Sequence, residues 1–424
     1  MMRAVIAGLT VMFFAVMVVF IGVLLSLQNR AGAECALPVF SGCPCSRSHV
    51  FLASLVYYFR HARKNSCQYL LNFFENFCAF VFFSRALWYT EPITRKEWTI
   101  AMQKRLVLLA TGGTIASAQS DRGLAPALTA ADILRRCPID NCVGQDIFHL
   151  DSSNIQPEEW RVLAAAVRRA LRDADGCIIT HGTDTMAYTA AALSFMLLDI
   201  DKPVILTGSQ LPLDHAITDA RVNLLEAAEA ARSVSRGVYV CFHHKLIAGT
   251  RAVKMRTTSF DAFDSVNAPL CGESDAVGLH VYHPIEHAAL APAAFGDEIN
   301  PGVFLLKLFP GTSPEAFRHI AAMGCKGLVM EAFGLGGLHY IRRNLVGALH
   351  ELSEQGVVTL VATQCMYEKA DFSIYEVGRD ITGSNIYSAR DMTTEAAVAK
   401  LMWVLGKPDV RKELLRQSLC LEMS

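Results

Sequence analysis

The stretch that decides the fold is residues 106–117, which reads LVLLATGGTIAS. Its first half is continuously apolar, as is typical of a strand buried on both faces of a parallel sheet. Two glycines then end the strand, where they allow a tight turn and let backbone N–H groups approach a ligand. Because ligands of open α/β sheets bind beyond the carboxyl ends of the strands, this turn is a candidate site. A glycine turn with capping threonines is the alternative interpretation.

Composition narrows the possible classes of protein. The 424 residues carry a formal net charge of −1, with 39 Lys and Arg against 40 Asp and Glu. No basic stripe or Arg-rich arm is present, so we expect no nucleic-acid partner. The length is sufficient for two or three domains with well-formed cores. Hydrophobic residues make up 52% of the chain, and the excess lies at its front.

Residues 1–101 form an apolar, Cys-rich N-terminal extension. Its segment 4–27 follows Arg3, is nearly all apolar, and is long enough to span a membrane. Three interpretations stay open: a membrane anchor, a cleaved signal with a propeptide, or a start site assigned too far upstream, for which Met102 is the natural replacement. We expect a cytoplasmic protein, with membrane anchorage as the alternative if residues 1–101 belong to the mature chain.

The pattern of the first turn recurs along the chain. Residues 177–185 read CIITHGTDT and residues 203–210 read PVILTGSQ, so in both an apolar strand runs into glycine and hydroxyl side chains. Helix-length segments separate these strands, which predicts a βαβ array with a polar edge. Ser152 and Ser153 follow a further apolar stretch, 147–150, in the same way. In contrast, 121–126 is predicted to be a loop, because it is polar and contains Gly and Pro.

A break over 292–301 separates two regions of alternating strands and helices. We predict domains at 102–291 and 302–424, the second being a smaller α/β domain. The eight cysteines after residue 100 are scattered singly, as is typical of free thiols in a reducing compartment. No spacing indicates a metal site, and we expect no cofactor. Lys254 lies in a stretch with few apolar residues, where a solvated surface charge is the simplest interpretation.

Two of these segments carry a family resemblance. Residues 111–116 (TGGTIA) and 181–186 (HGTDTM) resemble the two signature segments of bacterial-type L-asparaginases, and 202–210 is similar to a third. The resemblance runs from about Met102 to about Asp409 and is closest to the cytoplasmic type I group. It implies a two-domain asparaginase-like α/β fold, with a larger N-terminal parallel-sheet domain and a smaller C-terminal α/β domain.

The same resemblance implies an activity and a set of site residues. The activity is hydrolysis of L-asparagine to L-aspartate and ammonia, without a metal, by a homodimer or homotetramer whose sites are completed by the partner's smaller domain. Turn N–H groups would form the oxyanion hole. The implied residues are Thr114 as nucleophile, Thr183, Asp184 and Lys254 as a second hydroxyl–carboxylate–ammonium group, Asp184 also for the substrate α-ammonium, and Ser152 and Ser153 for its α-carboxylate.

The sequence departs from the family at three positions. The family's lid usually carries a tyrosine beside the nucleophile, where this chain has Leu124. Leucine carries no proton, so another hydroxyl must substitute or Thr114 must rely on the lysine group. Some type I proteins bind asparagine at a second, regulatory site through an arginine and a threonine. The matching positions are Glu331 and Val253, so we do not expect that regulation here.

Two further functions stay open. One is the amidotransferase subunit that releases ammonia for tRNA-dependent glutamine formation, whose core carries the same signatures. The apolar front of this chain and its lack of a basic surface disfavour that function. The other is a non-catalytic amide-binding protein, for which Lys254 and Asp184 would be costly and unnecessary.

Overall fold

The structure, a computed structural model, describes residues 104–120, 123–371 and 385–424. The predictions for the extension 1–101 and its segment 4–27 fall outside the described residues and stay predictions. Within the described ranges, no helix combines the length and the apolar character that a membrane span requires.

The first and larger part of the fold is built around an eight-stranded sheet, with two small hairpins beside it. Its helices are α1 (Ala130–Arg136), α2 (Pro157–Ala170), α3 (Met186–Met196) and α4 (Ala220–Ser233). Its strands are β1 (Leu106–Gly112), β2 (Ser117–Ser120), β3 (Gly123–Pro126), β4 (Cys142–Leu150), β5 (Gly176–Thr180), β6 (Pro203–Thr207), β7 (Gly237–Phe242), β8 (Lys245–Ala248), β9 (Ala252–Lys254), β10 (Phe263–Ser265), β11 (Gly272–Asp275) and β12 (Gly278–Val281).

The order of the strands places a ligand-binding crevice at β1. The sheet runs β12-β11-β8-β7-β6-β5-β1-β4, and β4, β1, β5, β6 and β7 are mutually parallel. Counted along the chain, these five occupy the spatial order 2-1-3-4-5, so the order reverses between β1 and β5. Open α/β sheets bind ligands at such a reversal, outside the carboxyl ends of the strands. The two predicted signature turns follow β1 and β5.

The apolar strands are buried as the sequence predicts. Every residue of β1, β5 and β6 is buried, because helices cover both faces of the sheet. Helix α3 is buried along nearly its whole length, since it lies between the large sheet and a helix of the smaller region. The rings of Phe195 and Trp403 stack there with centroids 6.0 Å apart.

The smaller region is a four-stranded parallel sheet in the order β13-β14-β15-β16. This confirms the predicted fold class, a large parallel-rich sheet with a smaller C-terminal α/β sheet; the boundary at 292–301 stays a prediction. The strands are β13 (Val303–Lys307), β14 (Gly327–Ala332), β15 (Val358–Thr363) and β16 (Ile386–Ser388), and the helices are α5 (Glu315–Ala322), α6 (Leu345–Glu354), α7 (Thr394–Gly406) and α8 (Pro408–Arg411).

Two local expectations need correction. The predicted loop 121–126 is wrong in part, because Gly123–Pro126 forms strand β3 and pairs antiparallel with β2. The strand predicted at 147–150 begins earlier, at Cys142, since its polar residues face outward on an edge strand next to β1.

Candidate active site

The turns after β1, β4 and β5 meet backbone to backbone. A Cβ atom on Gly113 would lie 2.4 Å from the backbone N of Gly182, and one on Gly182 would lie 2.6 Å from Oγ of Ser152. Such distances leave no room for a side chain, so both positions require glycine. The turns that carry Thr114, Thr183 and Ser152 are therefore packed against one another at the sheet edge.

Lys254 reaches this edge from the short hairpin of β9 and β10. Its Nζ atom donates to Oγ1 of Thr183 at 2.7 Å and lies 2.6 Å from Oδ1 of Asp184. The lysine side chain is only 18% exposed, whereas that of Asp184 is 65% exposed. Lys254 is thus not an isolated surface charge, and the structure brings together the hydroxyl, carboxylate and ammonium that the family resemblance implied.

The hairpin itself is held from two sides. Lys254 pairs with Phe263 across β9 and β10, and the ring of Phe263 packs on Phe242 at 5.0 Å. Gln210, in the third signature segment, donates through Nε2 to the carbonyls of Thr257 and Ser259 in the loop between the two strands. Gln210 was not predicted to be a functional residue, although its position just after the glycine that follows β6 was a usable signal.

His181, the first residue of the second signature turn, is fully buried and belongs to a series of linked hydrogen bonds. Its Nδ1 faces the carbonyl of Gly182 at 2.7 Å and its Nε2 faces Oγ1 of Thr189 at 3.0 Å. Since a carbonyl only accepts, Nδ1 carries the hydrogen and Nε2 accepts from Thr189, whose oxygen accepts from Nε1 of Trp160 at 3.0 Å. Burial lowers the pKa of His181 to about 4. A neutral imidazole therefore fixes the turn that carries Thr183 and Asp184.

The two serines occupy different environments. Ser152 is buried against Gly182, and its carbonyl accepts from Oγ1 of Thr185 at 2.7 Å. Ser153 is exposed, and its hydroxyl donates to Oδ1 of Asp151 at 2.7 Å, which holds the pKa of that carboxyl below its usual range. Only Ser152 thus lies directly against the turn of β5.

The side chains of the site are those that an enzyme of acyl transfer uses. A threonine in a glycine turn, a second threonine hydrogen-bonded to a lysine, and an exposed carboxylate lie on turns at one edge of the sheet. In the described ranges, no three His, Cys, Asp or Glu side chains are grouped as metal ligands would be.

Comparisons with known proteins show the family to which the chain belongs. The family model for the asparaginase N-terminal domain matches residues 105–287, and that for the glutaminase/asparaginase C-terminal domain matches 302–417. An L-asparaginase of Thermococcus kodakarensis is 41% identical over 307 residues, which is 71% of this chain and 93% of the relative. One component of a glutamyl-tRNA(Gln) amidotransferase from the same organism is 33% identical over 347 residues, 78% of this chain and 77% of the relative.

A solved structure extends the likeness to three dimensions. The thermostable L-asparaginase from Thermococcus kodakarensis matches with a TM-score of 0.69 at 38% identity, over 76% of this chain and 99% of the other. The chain therefore belongs to the asparaginase family, which confirms the resemblance seen in its signature segments. It is an amidohydrolase.

Proposed function

We propose that the protein is an L-asparaginase, which hydrolyses L-asparagine to L-aspartate and ammonia with Thr114 as nucleophile. The observation that carries the proposal is the contact of Lys254 with Thr183 and Asp184 at the carboxyl edge of the sheet. A lysine held on a hydroxyl is useful for proton transfer and unnecessary for holding an amide, which disfavours a non-catalytic binder.

The reaction would run in two halves. Oγ1 of Thr114 attacks the side-chain amide carbon and its proton passes through Thr183 to Lys254. The C–N bond then breaks as the leaving nitrogen takes that proton and departs as ammonia, which leaves an acyl-enzyme ester. Water then attacks the ester carbon and gives one of its protons to the departing Oγ1 of Thr114, which releases L-aspartate and restores the hydroxyl. The N–H of Gly113 is already donated to the carbonyl of Leu150 at 2.9 Å. The oxyanion would therefore be met by N–H groups of Thr114 or Thr183.

Substrate recognition would use groups on both sides of the turn. The carboxylate of Asp184 is exposed enough to hold the α-ammonium, and Ser152 and Ser153 would hold the α-carboxylate. With both α-groups fixed, one extra methylene moves the amide of glutamine away from Thr114. We expect asparagine to exceed glutamine in kcat/KM by about 10–200-fold, the usual range for one methylene. Equal values would contradict this geometry.

The nucleophile is tested by ammonia release from purified variants. Thr114→Ala should lower kcat by roughly a thousandfold or more, because only binding and electrostatic stabilisation remain. Thr114→Ser, which keeps a hydroxyl, should retain measurable turnover. Thr111→Val is a matched control, because Thr111 is buried in the same segment and its hydroxyl donates to the carbonyl of Thr180. Near-normal turnover of Thr114→Ala would refute the assignment.

The amidotransferase relative supports a second candidate function, release of ammonia as the subunit of a glutamyl-tRNA amidotransferase. The two candidates differ in what the isolated chain does. An L-asparaginase turns over free asparagine alone, whereas the second candidate would need a partner subunit and charged tRNA. Steady-state assays of the purified chain, with and without these additions, separate them.

We also propose that the protein works in the cytoplasm as a homodimer or homotetramer. Every cysteine among the described residues is a free thiol, as is usual in a reducing compartment. Phe304 and Leu305 on edge strand β13, and Phe309 just after it, expose apolar side chains that a second copy could cover. Sedimentation of the purified protein tests the assembly, and a monomer at working concentration would contradict it.

A further inference from the structure

The strand that carries Lys254 is anchored by a buried arginine at its start. Arg251 is 1% exposed and directly precedes β9. Its Nε donates to the carbonyl of Leu421 at 2.5 Å, its Nη1 to the carbonyl of Asp391 at 2.9 Å, and its Nη2 to Oδ2 of Asp391 at 3.2 Å. Oγ1 of the neighbouring Thr250 donates to the carbonyl of Cys420 at 3.0 Å. Both residues thus bind the segment 419–424.

The segment 419–424 is itself firmly held. Glu422 is fully buried, accepts from Nζ of the buried Lys400 at 2.6 Å, and accepts from the backbone N–H groups of Leu419 and Cys420 at 2.8–2.9 Å. The N–H of Ser424 donates to Oδ1 of Asp391 at 2.8 Å, on the carboxylate that also binds Arg251. One carboxylate therefore joins the segment to Arg251, the residue that directly precedes β9.

Strand β9 has little backbone pairing of its own, and the Arg251 anchor adds to the contacts of Phe263 and Gln210. It has three residues and, in the part of the chain that the structure describes, pairs only with β10, also of three residues, in a sheet of its own. A two-stranded ribbon of this length is marginally stable by itself. The ammonium of Lys254 must nevertheless stay within hydrogen-bond distance of two side chains on the turn of β5. A displacement of about 1 Å at a reacting group can cost a hundredfold in rate.

We infer that Arg251 is a positioning residue for Lys254, and that segment 419–424 with Asp391 is the support on which it acts. The inference rests on the proposed function for its catalytic consequence. The segment lies beyond residues 302–417, which match the family's C-terminal domain, whereas Asp391 lies within them.

Kinetics of Arg251→Gln and Arg251→Lys test the inference. Neither side chain reproduces the three donors of the guanidinium, so we expect kcat for asparagine to fall by about tenfold to a hundredfold. KM should stay within about threefold, because the substrate-binding residues are unchanged. The matched control is Arg411→Gln. Arg411 is also fully buried and bonded to several carbonyls, among them those of Ala294 and Trp403, away from β9. Its variant should lose stability but keep kcat at temperatures where it is folded.

Hydrogen–deuterium exchange provides a readout that is independent of activity. Amides of 252–254 should exchange at least tenfold faster in Arg251→Gln than in wild type or Arg411→Gln. Thr250→Val, which removes a single hydroxyl, is the milder variant should Arg251→Gln fail to fold, and it should change exchange and kcat in the same direction.

The outcomes separate this inference from the proposed function. Faster exchange together with lower kcat supports a positioning role. Unchanged exchange, or faster exchange with an unchanged kcat, overturns it. A wild-type protein without asparaginase activity would contradict the proposed function alone, and exchange in the variants would then decide whether Arg251 holds β9.

Discussion

Gly113 and Gly182 lie backbone against backbone, so close that a methyl group on the first would stand 2.4 Å from the Cα and N atoms of the second. Gly113 also has a φ of +75°, a region that residues with a Cβ rarely adopt. Two requirements for glycine coincide at this position, one from conformation and one from space. Because the turns carry Thr114 and Thr183, their contact sets how far apart the two hydroxyls lie.

Gly113→Ala should therefore lower the free energy of unfolding by more than conformational strain alone would. Gly356 is a matched control, with a φ of +84° and no atom within 4 Å of an added Cβ. Gly356→Ala should lower the free energy of unfolding by about 1–2 kcal/mol, the cost of the left-handed region. Gly113→Ala should lower it further, and should reduce kcat about a hundredfold by pushing the turns apart. Urea unfolding measures the free energy of unfolding, and ammonia release measures kcat. Equal losses of unfolding free energy in the two variants would contradict the close approach.

The buried His181 predicts how stability depends on pH. Its pKa of about 4 in the folded protein lies below its ordinary value of 6.5, because burial disfavours the imidazolium. As the pH falls below 6.5, the unfolded chain binds a proton that the folded chain does not, so stability decreases down to about pH 4. The difference of about 2.5 pH units corresponds to roughly 3 kcal/mol.

The comparison with His181→Gln isolates this contribution. Glutamine does not titrate, whereas all carboxylates and other histidines are the same in both proteins. Wild type should lose about 3 kcal/mol more than the variant between pH 7.5 and pH 4, as measured by urea unfolding at each pH. Parallel pH profiles for the two proteins would show that His181 binds its proton equally well in the folded and the unfolded protein.

How far sequence reasoning reaches depends on the range of the interactions. Strand β1 and the turns after β1 and β5 were predictable, because continuous apolar runs and glycines are local signals. The β2–β3 hairpin was not, since its Gly and Pro also suit a loop. The contact between Lys254 and Thr183 joins residues 71 positions apart, and no local pattern around the lysine indicates it; only the family resemblance did. Arg251 was missed for the same reason, because its partners lie 140 and 170 residues away.

Because of Glu331, we expect the reaction rate to saturate with asparagine without cooperativity. Its carboxylate is mostly buried, accepts from Oγ1 of Thr394 at 2.5 Å, and lies 3.2 Å from Nζ of Lys307. A carboxylate there repels the α-carboxylate of an amino acid, which the arginine of regulated type I proteins would attract. Val253, which the resemblance assigns to the position of their threonine, offers no hydroxyl.

Rates over a wide range of asparagine concentration should therefore give a Hill coefficient of 1. Equilibrium dialysis with the slow Thr114→Ala variant should find one asparagine per protomer. Sigmoidal kinetics, or two bound molecules per protomer, would show that a regulatory site exists despite Glu331 and Val253.

Under the proposed function, Lys254 decides whether Thr114 works without the lid tyrosine, whose position the resemblance assigns to Leu124. The group formed by Thr183, Asp184 and Lys254 must then supply the base, and a base requires a lysine that can lose its proton. Lys254→Met should be nearly inactive. Lys254→Arg should be almost as poor, because a guanidinium keeps its proton at any pH that the protein tolerates.

Lys369→Met is the matched control, because Lys369 is 59% exposed and pairs with Asp371 at the surface. It should leave kcat unchanged and alter stability by no more than about 0.5 kcal/mol. Steady-state rates of the three variants, measured from mildly acidic to alkaline pH, decide the role. An active Lys254→Arg would mean that the lysine acts as a fixed positive charge. The proton of Thr114 would then need another acceptor, and Leu124→Tyr would test whether a lid hydroxyl can serve as one.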